Sequence, residues 1–489
     1  MAQEVELKLV LAAEDADTLA ANLFAEDAAK SAKMHAIYFD TPDHDLAVQG
    51  ASLRIRRTGR KRIQTVKVNG AKGAGLFARP EWEQPVADDQ PVLDDTTPIA
   101  ALLGGAVDRL APVFVVVTER RTLMIEEADA EIELVLDRGA VSMGDRRSVV
   151  CEVELELKRG DPAALFALAR RIAGIVPMRL GVLTKSERGY NLLAAAPMAF
   201  KAEPLALRTD LSTVDALQAI MRACLRQYRL NETILLERRA PEALHQARVA
   251  LRRLRSALGI FRRVLGKRES ARFRADLAWL AQVLGHARDL DVLVAAAADK
   301  PGPGVVFDAL EAARDDAYAV VGETLASPRA LTMMLDLAEW LATGDWATAA
   351  QTRELREMPA REFAADALRR RRKAIKTGGK SLKTLRDAQR HEVRKAAKTL
   401  RYSAEFFAGL FGGNGARRRH AKFLAALETL QDKLGALNDR ATAPALLRSL
   451  GLMDSEGASA LLDHRKRGKQ IRAAAGAHEA LLDRKPFWR

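Results

Sequence analysis

Residues 1–10 read MAQEVELKLV, and residues 151–160 read CEVELELKRG. In the first, Glu4, Glu6 and Lys8 occupy every second position, with Val5 and Leu7 between them. In the second, Glu152, Glu154, Glu156 and Lys158 do the same around Val153, Leu155 and Leu157. Successive side chains of a strand point to opposite faces. Each stretch is therefore a strand with one charged face and one aliphatic face. One such strand is an ordinary solvated edge; two with acids and a base at the same spacing call for a shared environment.

The same texture runs to about residue 195, in SLRIRRT (52–58), IQTVKVNG (63–70) and AEIELVLDRG (130–139), with turns such as TPDHD (41–45) and NGAKGAG (69–75). Helices are expected at about 14–29 and 161–174, the second opened by Asp161 and Pro162. Gathering charges by strand parity gives Glu4, Glu6 and Lys8; Arg54 and Arg56; Lys67; Arg79 and Glu81; Arg120; Glu131, Glu133 and Asp137; and Glu152, Glu154, Glu156 and Lys158. Lys185 and Arg188 follow in LTKSERGY (183–190). A closed antiparallel barrel with a charged lumen and an aliphatic exterior covered by helices accounts for the whole set. Carboxylates beside a ring of cations suit a phosphate chain held next to a divalent metal. No GxxxxGK[ST] loop is present, which excludes a P-loop enzyme. Crowded glutamates are also expected to titrate high, giving an activity that fades in acid.

The 489 residues suffice for two to four domains, and 48% hydrophobic with 29% charged residues is a globular composition. Two cysteines cannot build a zinc cluster. With no signal-peptide pattern and no long apolar run, a cytoplasmic protein without membrane partners is expected. Charge is uneven. Residues 1–200 hold 25 Lys and Arg against 30 Asp and Glu, and residues 201–489 hold 53 against 34, a net of −5 and +19. The second half therefore points to a polyanionic partner.

The two prolines of AAAPMAFKAEPLALRTDLS (194–212) mark a linker, placed at 199–210. It separates a strand-rich domain, 1–198, from a helical one, 211–489. The fold class is α+β: barrel first, then two repeated helical bundles of eight to ten helices. The repeat is visible in residues. HQARVALRRLRSAL (245–258) returns as HEVRKAAKTLRYSA (391–404), and RFRADLAWLAQVLGHARDLD (272–291) as KFLAALETLQDKLGALNDRA (422–441). The copies span about 211–300 and 380–450. His245, Arg248, Arg252 and Arg255 fall within an arc of about 80° on one helix, as do His391, Arg394, Lys398 and Arg401 on another. Stacked cations repel unless acids such as Asp289 and Asp439, or an external anion, neutralise them. Aromatics are only 5% of the chain, too few for base stacking, so a linear polyphosphate fits better than nucleic acid.

EVELK resembles the ExExK signature of the CYTH family, the triphosphate tunnel metalloenzymes. YFDTPD (38–43), LRIR, TVK, RPEWE, ELELKRG and LTKSERGY follow in that family's order. The helical half resembles the CHAD domain, and the tandem resembles the bacterial CYTH–CHAD inorganic triphosphatases. The resemblance implies hydrolysis of inorganic triphosphate to diphosphate and phosphate, with Mg²⁺ or Mn²⁺ on Glu4, Glu6, Asp137, Glu152 and Glu154. It implies that Lys8, Arg54, Arg56, Lys67, Arg79, Arg120 and Lys185 hold the triphosphate, with Glu4, Glu6, Lys8, Glu152 and Glu154 as the catalytic set. Parity does not choose between Glu152, Glu154 and Glu156. Thr122 stands where the family often has a second base after Arg120, and Arg121 has outward parity. For the helical domain the resemblance implies polyphosphate association, and so a place at polyphosphate granules. The alternatives are a nucleotide or organic triphosphatase, an adenylate cyclase, or a polyphosphate-targeting protein with a vestigial barrel.

Overall fold

The computed structural model describes residues 2–24, 29–68, 73–127, 129–298, 304–455, 458–462 and 467–488. Residues 69–72 of the second quoted turn lie outside them. Two compact units emerge: residues 1–198 with 326–344, and residues 199–325 with 345–489.

In the first unit, β1 (Ala2–Val10) is followed by α1 (Asp15–Leu23), β2 (Lys30–Asp40), α2 (Asp45–Val48), β3 (Ala51–Thr58), β4 (Lys61–Val68) and β5 (Leu76–Pro85). Then come α3 (Ile99–Leu103), β6 (Ala111–Glu127), β7 (Ala130–Met143), β8 (Arg146–Arg159), α4 (Ala163–Ala173), the two-residue β9 (Arg179–Leu180) and α5 (Lys185–Asn191). The strands pair in the order β5-β4-β3-β2-β6-β7-β8-β1, and β1 closes the ring by pairing antiparallel with β5. This is a closed eight-stranded antiparallel barrel, with β9 added beside β1.

Closure turns the period-2 pattern into inside and outside. The aliphatic face of β1, Leu7 and Leu9, is fully buried on the outside, where α4 crosses β1, β6 and β8 with Leu165, Phe166 and Ile172. Leu53 and Ile55 pack with Phe39, Leu46 and Ile99 in a second outer cluster. Arg54 and Arg56 alternate with them along β3 and so face the lumen. Helix α4 opens with Asp161 Oδ1 accepting from Ala163 N at 2.8 Å. Helix α1 ends at Leu23, short of the expected residue 29, and residues 25–28 are outside the described set.

The second unit contains α6 (Thr213–Glu237), α7 (Pro241–Ile260), α8 (Lys267–Ala298) and α9 (Gly304–Ala326, whose last residue belongs to the first unit). Helix α10 (Pro328–Thr343) groups with the barrel: Arg170 on α4 donates to Asp336 at 2.7 Å and pairs with Glu339. The second unit resumes with α11 (Arg353–Glu357), α12 (Ala360–Gly378), α13 (Asp387–Phe406), α14 (Asn414–Ser449), α15 (Ala458–Leu461) and α16 (Arg467–Leu482). Ser212 at the head of α6 bridges Pro359 at the head of α12. Helices α7 and α13, which carry the repeated cations, pack against each other.

Gly139 on β7 leaves no room for a side chain, because a Cβ there would lie 2.0 Å from the Val117 carbonyl oxygen on β6. Gly139→Ala should destabilise the barrel by about 1–3 kcal/mol, the usual scale of overpacking. A thermal melt of the purified variant with an unchanged midpoint would contradict this closeness.

Candidate active site

The lumen is a cavity of about 300 Å³. Its wall includes seven carboxylates, from Glu4, Glu6, Glu81, Glu83, Glu133, Glu154 and Glu156. It also includes eight cations, from Lys8, Arg54, Arg56, Lys67, Arg79, Arg120, Lys158 and Lys185. Asp137 and Glu152, both fully buried, lie behind this wall. All twelve residues that the sequence places in the barrel site are thus brought to one cavity or directly beneath its surface.

Register explains who meets whom. Lys8 sits opposite Glu154 across β1 and β8, Arg120 opposite Asp137 across β6 and β7, and Glu4 opposite Arg79 across β1 and β5. Lys8 Nζ pairs with Glu154, with Glu152 at 3.0 Å and with Glu6 at 3.1 Å. Arg120 forks onto Asp137 at 2.8 and 2.5 Å and reaches Glu154 at 2.9 Å. Lys185 comes from a helix instead. Thr184 caps α5 by accepting from Glu187 N, while the Glu187 carboxylate accepts from Thr184 N. The next residue, Lys185, reaches Asp137 and Glu152 at 2.7 Å each and Glu154 at 2.8 Å. Glu4 pairs with Lys67 at 2.7 Å and Arg79 at 3.2 Å, and Arg79 also lies 3.6 Å from Glu6.

At Glu4, Asp137 and Glu154 this pairing reverses the expectation that the acids titrate high. Burial pushes the Glu154 carboxyl up, but Lys185, Lys8 and Arg120 outweigh it and hold it well below the usual range. Burial likewise loses to Lys67 and Arg79 at Glu4, and to Lys185 and Arg120 at Asp137; both are lowered. Glu156 alone of this set is raised, by burial that Lys158 only partly offsets.

The opposite wall has surplus positive charge. Arg54 bonds only the Tyr38 hydroxyl, at 3.4 Å, among the described residues, and its Nε is buried without a partner. Arg56 is pushed down to about 10, first by Arg54 beside it and then by burial; Glu83, at 3.4 Å, does not compensate. Thr122 lines the lumen as its parity requires, whereas Arg121 pairs outside with Glu119. Parity missed Ser52, Thr65, Glu83 and Tyr38. Ser52 shares the phase of Arg54, Thr65 that of Lys67 and Glu83 that of Glu81, so the signal existed; Tyr38 sits among apolar neighbours and gave none.

Metal-ligating capacity is concentrated in Asp137, Glu152 and Glu154, each offering an oxygen within 4.8 Å of the others. Glu152 Oε2 is buried and accepts no hydrogen bond among the described residues, with Arg188 3.8 Å away, whereas Glu6 Oε1 lies 3.1 Å from Lys8 Nζ. An all-oxygen donor set fits a hard divalent cation. Glu4 lies outside this trio.

Residues 2–190 match the CYTH domain family and residues 219–448 the CHAD domain family. The chain carries a CYTH domain followed by a CHAD domain. An inorganic triphosphatase of Haemophilus influenzae is 30% identical over 201 residues, 39% of this chain and 55% of that protein. The chain thus spans about half the length of that curated relative. An uncharacterized protein of Mycobacterium tuberculosis is 29% identical over 412 residues, 76% of this chain and 75% of that protein. The crystal structure of the CHAD domain from the plant Ricinus communis is 29% identical, covering 58% of this chain and 97% of its own, at a TM-score of 0.49.

In the CHAD domain the repeated cations converge. His245 is pushed down to about 4 by burial and by Arg288, Arg252, Arg248 and Lys398, so α7 and α13 present their stripes to one another. Arg248 donates to the Gly285 carbonyl at 3.0 Å and lies 3.5 Å from Asp289. Arg252 Nε donates to the Tyr402 hydroxyl at 3.3 Å, and Arg401 lies 3.5 Å from Glu405. Arg255 is exposed, and His391 and Arg394 continue the α13 stripe. The side chain of Asp439 lies outside the described residues.

The lowered carboxyls fix a pH dependence. A depressed folded pKa contributes stability that is present above the unfolded value, about 4.3 for Glu, and is lost as pH falls through the folded value. In EDTA, the CYTH domain's melting temperature should therefore hold from pH 8 to about 5 and drop below about 4. A melting temperature that rises steadily as pH falls from 7 to 5 would instead show that the acids titrate high.

Proposed function

We propose that the CYTH barrel hydrolyses inorganic triphosphate to diphosphate and phosphate with a bound divalent metal, Mg²⁺ or Mn²⁺. The observation that carries this reading is the division of one closed lumen into a carboxylate trio and a wall of under-neutralised arginines. A triphosphate supplies the negative charge that Arg54 and Arg56 lack, through bidentate contacts that only a planar guanidinium makes, with Arg120 beside them. Lys67 and Arg79 extend the grip along the chain. A metal held by Asp137, Glu152 and Glu154, with Glu4 and Glu6 alongside, would supply charge neutralisation at the phosphoryl group.

Phosphoryl transfer asks for positioning and electrostatic stabilisation more than for covalent chemistry. Water attacks a terminal phosphorus, the anhydride P–O bond breaks, and diphosphate leaves. A lumen carboxylate takes the water's proton, and Lys8 and Lys185 hold the carboxylates in place. A 300 Å³ cavity lined mainly by charged side chains, with Tyr38 its single aromatic among the described residues, favours an inorganic chain over a nucleotide or thiamine ester.

The second part of the reading assigns the facing stripes of α7 and α13, His245, Arg248, Arg252, Arg255, His391, Arg394, Lys398 and Arg401, to polyphosphate. Burial and like-charge neighbours hold His245 neutral, a state that an arriving polyanion reverses. Such binding would place the enzyme at polyphosphate granules in the cytoplasm. Among the described residues no helix is long and apolar enough to cross a membrane.

Phosphate release should be rapid from tripolyphosphate with Mg²⁺, absent with EDTA, and slower from diphosphate, long-chain polyphosphate, ATP and thiamine triphosphate. Preference for ATP would favour the nucleotide reading. Glu4→Gln and Glu154→Gln should each lower kcat by about 10²-fold or more, the scale of losing one preorganised electrostatic group. Both variants should keep full retention on a polyphosphate matrix; normal turnover in both would remove the barrel from the chemistry. Reversing charge at Arg248, Arg252, Arg394 and Lys398 should abolish that retention at moderate salt while leaving tripolyphosphate turnover intact. Unchanged retention would separate the stripes from polyphosphate.

A further inference from the structure

The barrel holds a buried carboxylate that does not line the lumen. Asp40, the last residue of β2, is fully buried and absent from the cavity wall. Its Oδ1 accepts from the Thr41 and Leu46 amides at 2.8 and 2.9 Å, and its Oδ2 from the Ala47 amide at 3.0 Å. These three bonds fix the turn into α2. The fourth comes from 150 residues away, where the Tyr190 hydroxyl on α5 donates to Oδ2 at 2.7 Å. A buried carboxylate is costly unless hydrogen-bonded, and a bond to a charged acceptor is among the strong ones. Burial, then the bond to Asp40, push the Tyr190 phenol up, so its hydroxyl stays a donor at neutral pH.

Helix α5 has seven residues, too few to hold its own shape, so its seat depends on the contacts at its two ends. One end carries Lys185, which reaches Asp137, Glu152 and Glu154. Those three are the carboxylates with metal-ligating capacity. An oxygen given to a cation is no longer available to the Lys185 ammonium, so this end would loosen in the loaded site. The other end is held by groups outside the lumen. Tyr190 packs edge-on against Phe114 and His44, with ring centres 5.2 and 5.9 Å apart. Gly189 lets the helix press on Phe114, since a Cβ there would lie 2.3 Å from that ring. Phe114 belongs to an apolar cluster with Ala36, Val116, Val141 and Val150. Apolar packing is not directional, whereas the hydrogen bond from Tyr190 to Asp40 selects one orientation of the helix.

We propose that the Tyr190–Asp40 bond anchors α5, and that Tyr190 is thereby a positioning residue for Lys185. The anchor holds the Lys185 ammonium toward the phosphate chain when its carboxylate partners are claimed by a metal. Tyr190 touches no reacting atom and acts only through the helix. Its effect on turnover rests on the triphosphate reading of the lumen; the anchor itself rests on the geometry alone.

Tyr190→Phe in the full chain tests this, because the ring keeps its place against Phe114 and only the hydroxyl is lost. Acetylation by acetic anhydride in EDTA, mapped by peptide mass spectrometry, reads the anchor without turnover. Lys185 should be labelled severalfold faster in the variant, while Lys8, buried on β1 against the same acids, should keep its original rate. With Mg²⁺, kcat/KM for tripolyphosphate should fall about tenfold, the scale of losing one hydrogen bond to a charged group. In a Lys185→Gln background the same change should cost nothing further, since Tyr190 acts through Lys185. Unchanged labelling of Lys185, labelling of Lys8 that rises with it, or losses that multiply in the double variant would each overturn the proposal. Failure of the triphosphate reading leaves the labelling result standing, and failure of the labelling leaves that reading standing.

Discussion

Closing a sheet on itself forces every second side chain inward, and in this barrel the inward side chains are charged. That constraint governs the rest of the domain. Isolated ions moved out of water cost many kcal/mol, and ion pairs recover that cost only with good geometry and complete hydrogen bonding. The lumen meets the condition by alternation across strands. Lys8 is set against three glutamates, Arg120 forks onto Asp137, and Lys185 is brought in from a capped helix to bind the same acids. Stability comes from outside the ring instead, where Leu7, Leu9, Leu53 and Ile55 pack beneath helices and loops.

The compensation is incomplete on one wall. Arg54 and Arg56 face each other's charge with a phenol and a distant carboxylate for partners. In the carboxylate trio Glu152 Oε2 is likewise buried without a hydrogen bond among the described residues, with Arg188 3.8 Å away. A structure selected for stability alone would satisfy both, so the deficits mark where ligands belong. A metal beside the acids and a phosphate chain along the arginines would complete the same network. Lys185, Lys8 and Arg120 hold the Glu154 carboxyl low, and Lys185 and Arg120 do the same at Asp137.

Much of this was legible in the sequence because a barrel is a period-2 object. The parity of EVELK, LRIR and ELELK assigned lumen residues strand by strand, and the duplicated His-Arg spacing located the two facing stripes. What depends on pairing between distant segments was not legible. Nothing along β8 announces that Lys8 will sit against Glu154, or that Lys185 will arrive from α5, so the titration expectation had the wrong sign. Period-2 reading could not choose between Glu152, Glu154 and Glu156; register does, setting Glu152 and Glu154 beside Asp137 and leaving Glu156 with Lys158. The grouping of α10 with the barrel through Arg170 is equally a matter of long-range partners. Tyr190 carried no periodic signal either, and only the fold brings it to Asp40, 150 residues away.

The central claim is that metal and phosphate chain lie side by side in one lumen. Anomalous diffraction from crystals soaked with Mn²⁺ and a non-hydrolysable triphosphate analogue tests it most directly. The account predicts a manganese peak among Asp137, Glu152 and Glu154, with phosphoryl density against Arg54 and Arg56. Manganese bound only at the surface, or an analogue seated outside the barrel, would contradict it.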